Sequence, residues 1–353
     1  MVSFSPLEFL RRPRRWLAAV SEHRGTLSPA PNFAYELCVR RIADRDLDGL
    51  DLSSWRAALN GAEPINPDTL DRFCERFVPY GFRPQALLPV YGLAENAVAL
   101  TFPDLHEVHR LDRIEREPFE RERRARPTAD DDGALRFVSV GRPLPGQEVR
   151  IVDEDGNAVP ERLEGQIEFR GLSTTPGYFR NPESTAAIRT ADGWTRSGDL
   201  GYLAGGELFI TGRTKDLIIK GGRNIYPQEV ELAAAEVEGV RRGCVVAFSV
   251  PDAERRKERL VVVAETRRKA AERPHLAAEV KMRVHQAVHV SADEVVMVPP
   301  GTVPKTPSGK LRRLECRRRY LDGTLAGKRP PAWLQLARLQ ASAWWHSLRR
   351  KIR

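Results

Sequence analysis

The chain has 353 residues, 41% of them hydrophobic and 30% charged, proportions that suit a globular protein with real cores. Its net charge is +9, but seven Lys and Arg lie between Gly323 and Arg353, where there is no Asp or Glu; the remaining 50 basic and 48 acidic residues nearly balance, so the basicity belongs to the tail and argues against a nucleic-acid partner. Cys38, Cys74, Cys244 and Cys316 are far apart and form no CxxC pair, which argues against a metal or disulfide framework and suits a reducing cytoplasm. No apolar run reaches the ~20 residues of a membrane span, and "MVSFSPLEFLRRPRRWLAAV" lacks the order of a signal peptide.

In chain order, residues 6–50 read as helical, with "PLEFL" and "FAYELCVRRI" at helical spacing around the breaker cluster "SPAPN". "WRAALNGAEPI" is an apolar segment ending in a glycine-containing loop. "PDTLDRFCERFVPYGF" is an amphipathic helix starting at a proline, and "ALLPVYGLAE" a buried strand entering a loop. Residues 104–133 hold the most charged run of the chain, "EREPFERERRARPTADDDG", and read as a solvated insertion or mobile loop.

From about residue 136 the period changes. "EVRIVD", "GQIEFRG", "ELFITG" and "DLIIK" are short strands, with "DEDGN" and "AGGE" as hairpin connections. "YPQEVELAAAEVEGV" is a helix opened by Pro227. "GCVVAFSV" and "RLVVVAET" are strands, followed by a helix near 275–290, the strand "EVVMVPP" and the loop "PKTPSGKLRR". This alternation predicts an α/β or α+β unit over 217–322, and the length accommodates about two to three domains. Beyond Pro331, Trp333, Leu334, Ala337, Ala341, Trp344, Trp345 and Leu348 share one face of a basic amphipathic helix, suited to docking on a protein or to an anionic membrane surface.

Five loops stand in order: "NGAEP" at 60–64, "YGLAE" at 91–95, "SGDLGYL" at 197–203, "TGRTKDLIIKGGRNIYPQEVE" at 211–231 and "PKTPSGK" at 304–310. Each alone is a turn or a solvated loop. Together they resemble the adenylate-forming superfamily of acyl-CoA synthetases, fatty acyl-AMP ligases, luciferases and peptide-synthetase adenylation domains. "SPAPNFAYELCVRR", "SVGRPLPGQEVRIVD" and "PGTVPKTPSGKLRR" make the chain most similar to a fatty acyl-AMP ligase, over residues 4 to about 325.

The resemblance implies the C-terminal part of a large AMP-binding domain over 1–212, a hinge at 213–216, a complete small mobile domain over 217–322 and the tail 323–353. It implies a chemistry in which a fatty acid carboxylate attacks the α-phosphate of ATP, giving acyl-AMP and pyrophosphate. Two anions must be brought together, so positive charge and positioning carry the catalysis. Lys310 is implied as the mobile lysine bridging carboxylate and adenylate oxygens, a compact point charge on a long stem. Glu95 is implied as the Mg²⁺-ATP glutamate, since Mg²⁺ takes few carboxylates and keeps phosphate and water oxygens. Tyr91 would stack on adenine and Gly61, Ala62 and Glu63 line the base, with Gly92 and Leu93 in the same loop; Asp199 would accept the ribose hydroxyls, assisted by Arg213, with Lys215 at the hinge. The usual acceptor in such a family is an acyl-carrier-protein phosphopantetheine.

Two departures follow. Ala94 stands where many relatives have a Thr that touches the α-phosphate, so that contact falls to backbone or is absent. The surplus length between Glu95 and Gly141 resembles the insertion of the acyl-AMP ligases, which disfavours the CoA-using conformation. The Thr/Ser/Gly-rich phosphate loop implied ahead of "APNFAYE" does not occur in these 353 residues, so the expectation is an N-terminally truncated member whose first 212 residues are poorly stable alone. The alternatives are a non-catalytic remnant and a long-chain acyl-CoA synthetase.

Overall fold

The computed structural model describes residues 1–131, 133–252, 257–306 and 309–325. The chain opens with α1 (Pro6–Arg11) and α2 (Arg14–Glu22), then β1 (Leu27–Ala30), α3 (Asn32–Arg41), β2 (Ala57–Asn60), α4 (Pro67–Phe77) and β3 (Leu87–Pro89). Within 6–50, read as helical around the breaker cluster, the structure places a strand: "LSPA", overlapping that cluster, pairs in parallel with β2. The partner that makes it a strand lies across the sheet, not along the chain, so no local period announces it. The buried strand at 87–89 and the helix started by Pro67 form as read; Asn66 caps α4 through its side chain, leaving the proline where no N–H is needed.

The three strands lie side by side in the order β1-β2-β3. Their last residues align, Ala30 with Asn60 and Asn60 with Pro89, so all three following loops leave at one edge. Behind the sheet, Trp16, Tyr35, Trp55, Phe73 and Phe82 are buried and meet edge to face. Each such ring contributes about 1.5–3 kcal/mol by burial.

Next come β4 (Thr101–Phe102), β5 (Leu111–Ile114), α5 (Arg116–Glu122), β6 (Leu135–Val138), β7 (Arg142–Pro143), β8 (Gln147–Val152), β9 (Gly165–Gly171), α6 (Pro182–Ile188), β10 (Thr195–Ala204) and β11 (Glu207–Arg213). Strands β8 to β11 make an antiparallel sheet in sequence order. The reading of 104–133 as a solvated or mobile loop fails for most of it. β5 pairs with β6, and Ile114, Phe119 and Ala125 are fully buried with Tyr202, Phe209 and Tyr226. These few apolar side chains are spaced among many charges, so composition hid them.

The last block holds β12 (Ile218–Lys220), β13 (Arg223–Ile225), α7 (Pro227–Glu236), β14 (Val240–Asp252), β15 (Lys257–Thr266), α8 (Arg273–Val288), β16 (Glu294–Val298) and α9 (Arg313–Leu321). β14-β15-β16 form one sheet, β15 antiparallel to β14 and parallel to β16. Alternation divides their side chains: Val245, Ala247, Leu260, Val262 and Ala264 pack with α7 and α8, while Val246, Phe248, Val250, Val261 and Val263 pack with Cys316 of α9. Mixed helix and strand throughout gives the α/β class expected. Helix α9, which no periodicity announced, lies on the second face.

Charged side chains cross between this block and the preceding ones. Arg116 bonds Glu120 and, at 2.9 Å, Glu229; Arg223 also bonds Glu120, which is almost wholly buried. The tail residues 326–353, including the expected tryptophan helix, lie outside the described residues.

Candidate functional site

The edge where β1, β2 and β3 end carries the first half of the site, as expected for ligand positions at the C-terminal ends of parallel strands. The Gly61 N–H donates to the Ala30 carbonyl, and the Val90 N–H to that of Asn60 at 2.8 Å. Gly61 must be glycine for a spatial reason: a Cβ there would stand 2.7 Å from the Val90 carbonyl oxygen. Ala62 takes the left-handed conformation at φ 68°. Glu63 then turns back, and its Oε1 accepts the Phe33 N–H at 2.6 Å, at the start of α3.

The "YGLAE" loop folds tightly on itself. The Leu100 N–H donates to the Tyr91 carbonyl, and a Cβ on Gly92 would stand only 1.4 Å from the Val98 oxygen. Val98 is exposed at φ 80°, unusual for a β-branched residue, beside Ala97 at φ 49°. This tight return presents Glu95. Its backbone carbonyl accepts the Thr175 N–H at 2.7 Å, and its Oε1 accepts the Tyr178 hydroxyl at 2.5 Å. That hydrogen bond pushes the Tyr178 phenol up to about 12. Asn96, fully buried, accepts the Thr174 hydroxyl and donates to the Ala99 carbonyl. Asn96, Thr174, Thr175 and Tyr178 are absent from the sequence-based site, although "TTPGYF" has the Pro-Gly signature of a turn.

Asp199 comes from a different sheet. The β10–β11 register places it directly opposite Arg213, and irregularities flank it on both neighbours of β10, a bulge that re-aims the side chain. Asp199 Oδ2 accepts the Tyr91 hydroxyl at 2.6 Å, and Oδ1 accepts Arg213 Nε at 3.0 Å. Two residues 108 apart in sequence thus meet. Burial raises the Asp199 carboxyl above its ordinary range, against the lowering effect of Tyr91 and Arg213. Burial and the facing Asp199 carboxylate raise the Tyr91 phenol well above its usual value. Leu93 and Ala94 lie between these anchors; Ala94 is exposed.

Lys310 sits on a closed loop. Lys305 and Leu311 bridge, the Thr306 N–H donates to the Lys310 carbonyl at 2.9 Å, and the Lys310 N–H donates to the Thr306 hydroxyl. Gly309 has φ 88°, and a Cβ added there would come within 3.9 Å of Phe33 Cε1, so the loop passes near the start of α3. Burial raises the Glu63 carboxyl, while the Phe33 N–H and the charges of Lys310 and Lys305 oppose that rise.

Lys215 is exposed. Its neighbour Asp216 accepts Arg313 Nη1 at 3.0 Å, and Arg313 also bonds both carboxylate oxygens of Glu231 at 2.7 Å. This bidentate pair holds the Arg313 guanidinium well above its usual value despite burial. No sequence signal marks Arg313, because its partners lie 97 and 82 positions away.

Among the described residues no group of three or more His, Cys, Asp or Glu gathers as a protein-only metal cage. A single carboxylate such as Glu95, with phosphate oxygens and water, is nonetheless the kind of set Mg²⁺ accepts.

The chain resembles several known proteins. Residues 1–179 match the AMP-binding enzyme family. The long-chain-fatty-acid–AMP ligase FadD26 of Mycobacterium marinum is 39% identical across 90% of this chain and 57% of its own length. The medium-chain-fatty-acid–[acyl-carrier-protein] ligase JamA of Moorena producens is 38% identical across 91% of this chain and 56% of its own. A solved fatty acyl-adenylate ligase, from work on the E. coli and L. pneumophila enzymes, superposes with a TM-score of 0.82 at 38% identity, over 90% of this chain and 57% of that one. The chain therefore spans a little over half the length of these relatives. By that match over residues 1–179, the chain belongs to the AMP-binding enzyme family.

Proposed function

We propose that this chain supplies the nucleotide- and carboxylate-facing side of a fatty acyl-AMP ligase, acting with a further segment such as its longer relatives contain. The observation that carries the reading is the meeting of Tyr91, from the loop after β3, with Asp199 of β10, whose other carboxylate oxygen accepts Arg213. The domain division is proposed as residues 1–212, a hinge at 213–216, a mobile unit over 217–322 and the tail.

In this reading Asp199, beside the irregularity of β10, accepts the ribose hydroxyls, and Tyr91 and Arg213 hold that carboxylate in place. Gly61, Ala62, Glu63, Gly92 and Leu93 shape the base pocket, and the ring of Tyr91 covers it. Glu95, braced by Tyr178 and Thr175, would hold Mg²⁺, whose charge screens the phosphates when bound. Lys310 reaches from its closed loop to neutralise the repulsion between fatty carboxylate and α-phosphate, and then the adenylate oxygens. Pyrophosphate leaves as the acyl–phosphate bond forms.

A ligase is favoured over an acyl-CoA synthetase because the segment from β5 to β6 is a folded element bound to residues 223 and 229 through Glu120 and Arg116, where an acyl-AMP ligase insertion is expected. The acceptor proposed is a carrier-protein phosphopantetheine, in keeping with the acyl-carrier-protein in the name of JamA. A cytoplasmic setting is proposed, with the basic tail as the contact for a membrane surface or partner.

The experiment is ATP–pyrophosphate exchange by the 353-residue chain with a panel of fatty acids and Mg²⁺, followed by product analysis with CoA added. Exchange that stops at acyl-AMP supports the ligase. A thioester identifies the synthetase, and silence from a well-folded chain places the activity in the longer assembly or marks a non-catalytic remnant.

A further inference from the structure

A cleft of about 290 Å³ opens where the segment after β11 meets α9 and β14. Lys215, Arg313 and Arg317 line it against a single lining carboxylate, Asp216, with Ser249 and Leu314 also in its wall. The three cations are not equivalent. Arg313 is neutralised: its Nε and Nη2 bond Glu231, and its Nη1 bonds Asp216. Lys215 is exposed, and the carboxylate beside it in sequence, Asp216, is the one taken by Arg313. The Arg317 Nε is shut off from solvent and has no hydrogen-bond partner among the described residues. The acidic residue nearest to it in sequence, Glu315, pairs with Arg318 and Arg319 instead. Helix α9 starts at Arg313 behind an N-cap, Arg312, that makes no side-chain cap bond. Its first-turn N–H groups therefore lack the acceptor that an Asp or Ser cap supplies. Residues 313, 314 and 317 lie on one helix face, so the uncapped first turn and the Arg317 guanidinium border the same cleft. A charged donor that is buried without an acceptor marks a place for an ordered water or ion.

We propose that this cleft binds a phosphate-type oxyanion, held by Arg317 and Lys215 together with the Ser249 hydroxyl and the first turn of α9. The ligand class follows from the donors. The groups left without partners are a guanidinium, an ammonium and helix N-terminal amides, which repel a metal ion and attract an anion. The guanidinium offers a fork to two oxygens, and the lysine adds a compact charge. Several donors around one point suit a tetrahedral oxyanion. The anion joins three parts of the chain: residue 215 in the segment proposed as the hinge, Ser249 of β14 and Arg317 of α9. It fastens the hinge segment to the helix that follows the Lys310 loop, and so restrains rotation about 213–216. The proposal goes beyond the adenylation reading and does not depend on it, since binding requires the cleft and no turnover.

Calorimetric titration of the 353-residue chain with inorganic phosphate, at constant ionic strength, should show saturable binding. Arg317→Gln should weaken it at least about tenfold, the effect of removing a charged hydrogen-bond donor. Lys310→Ala should leave this binding unchanged, which separates the cleft from the proposed nucleotide site. On the unmutated chain, phosphate should slow acetylation of Lys215 by acetic anhydride several-fold, read by peptide mass spectrometry, and leave the exposed Lys281 of α8 unaffected. That readout stands even where a variant folds poorly. Glycerol 3-phosphate as a parallel titrant separates the two sources of the group: equal affinity assigns the phosphate end of a larger molecule, and no binding assigns a free ion. Absence of saturable binding, equal affinity in the parent and Arg317→Gln, or equal protection of Lys215 and Lys281 overturns the proposal. Binding that Lys310→Ala abolishes puts the phosphate at the lysine loop and likewise overturns it.

Discussion

Arg313 places Nη1 3.0 Å from Asp216 Oδ2 while its other nitrogens grip Glu231, so the first residue of α9 is tied to the segment proposed as the hinge. Lys310 lies three residues before Arg313. The position of the lysine loop and the course of the chain at 213–216 are thereby coupled through one guanidinium, itself mostly buried.

Replacing Arg313 by Ala leaves Glu231 and Asp216 buried without their cation. The expected loss is about 3–5 kcal/mol, the usual result of removing one partner from a buried pair. Arg313→Lys should recover only part of it, since a point charge cannot reproduce the bidentate contact. Urea denaturation followed by circular dichroism measures both; an Ala variant as stable as the parent refutes the coupling.

Lys310→Ala should lower acyl-AMP formation by about 10²–10³-fold, comparable with losing one preorganised charge donor to a developing anion, while the circular dichroism spectrum is unchanged. The assay is ATP–pyrophosphate exchange in whichever assembly shows activity. Undiminished exchange removes Lys310 from the chemistry.

Nucleotide binding should depend on Asp199. Its carboxyl is raised by burial, so the ionised form, which pairs with Arg213 and is proposed to accept the ribose hydroxyls, fills in as pH rises through that raised value. AMP affinity should therefore increase with pH across the acid range, and Asp199→Asn should weaken binding and flatten the profile. Calorimetric titration at several pH values reads this; the same slope in both proteins assigns the dependence elsewhere.

Glu164 offers a test of stability against pH. It is buried, accepts the Tyr226 hydroxyl at 2.9 Å and the Thr211 hydroxyl, and its Oε2 has no hydrogen-bond partner. Burial holds its carboxyl above the ordinary value. The folded chain thus binds this proton more tightly than the unfolded chain, so its contribution is full below the unfolded value and is lost as pH rises through the raised one. Glu164→Gln should make stability less steeply dependent on pH than in the parent, other buried carboxylates being common to both. Parallel slopes across the acid-to-neutral range would show that Glu164 does not titrate across folding.

Much of the architecture is legible in the sequence. Pro67 and Pro227 mark helix starts because a proline fits where no N–H is needed, and the alternating valines of β14 and β15 announce a sheet covered on both faces. β1 and α9 are not legible, since four residues with a proline carry no period and α9 is mostly charged. The charged stretch around α5 reads falsely as a loop because Phe119 is buried by distant Tyr202 and Tyr226, and Glu120 by arginines on either side of it in sequence.

The sequence by itself determined which candidate loop motifs occur and in what order, because each is a local matter of turn-forming and charged residue types. Only the tertiary structure decided which of them meet. Tyr91 finds Asp199 through two different sheets, and Arg313 finds Asp216 across 97 positions. Such pairings depend on long-range packing and on the burial that raises or suppresses each charge, and no window of neighbouring residues contains that information.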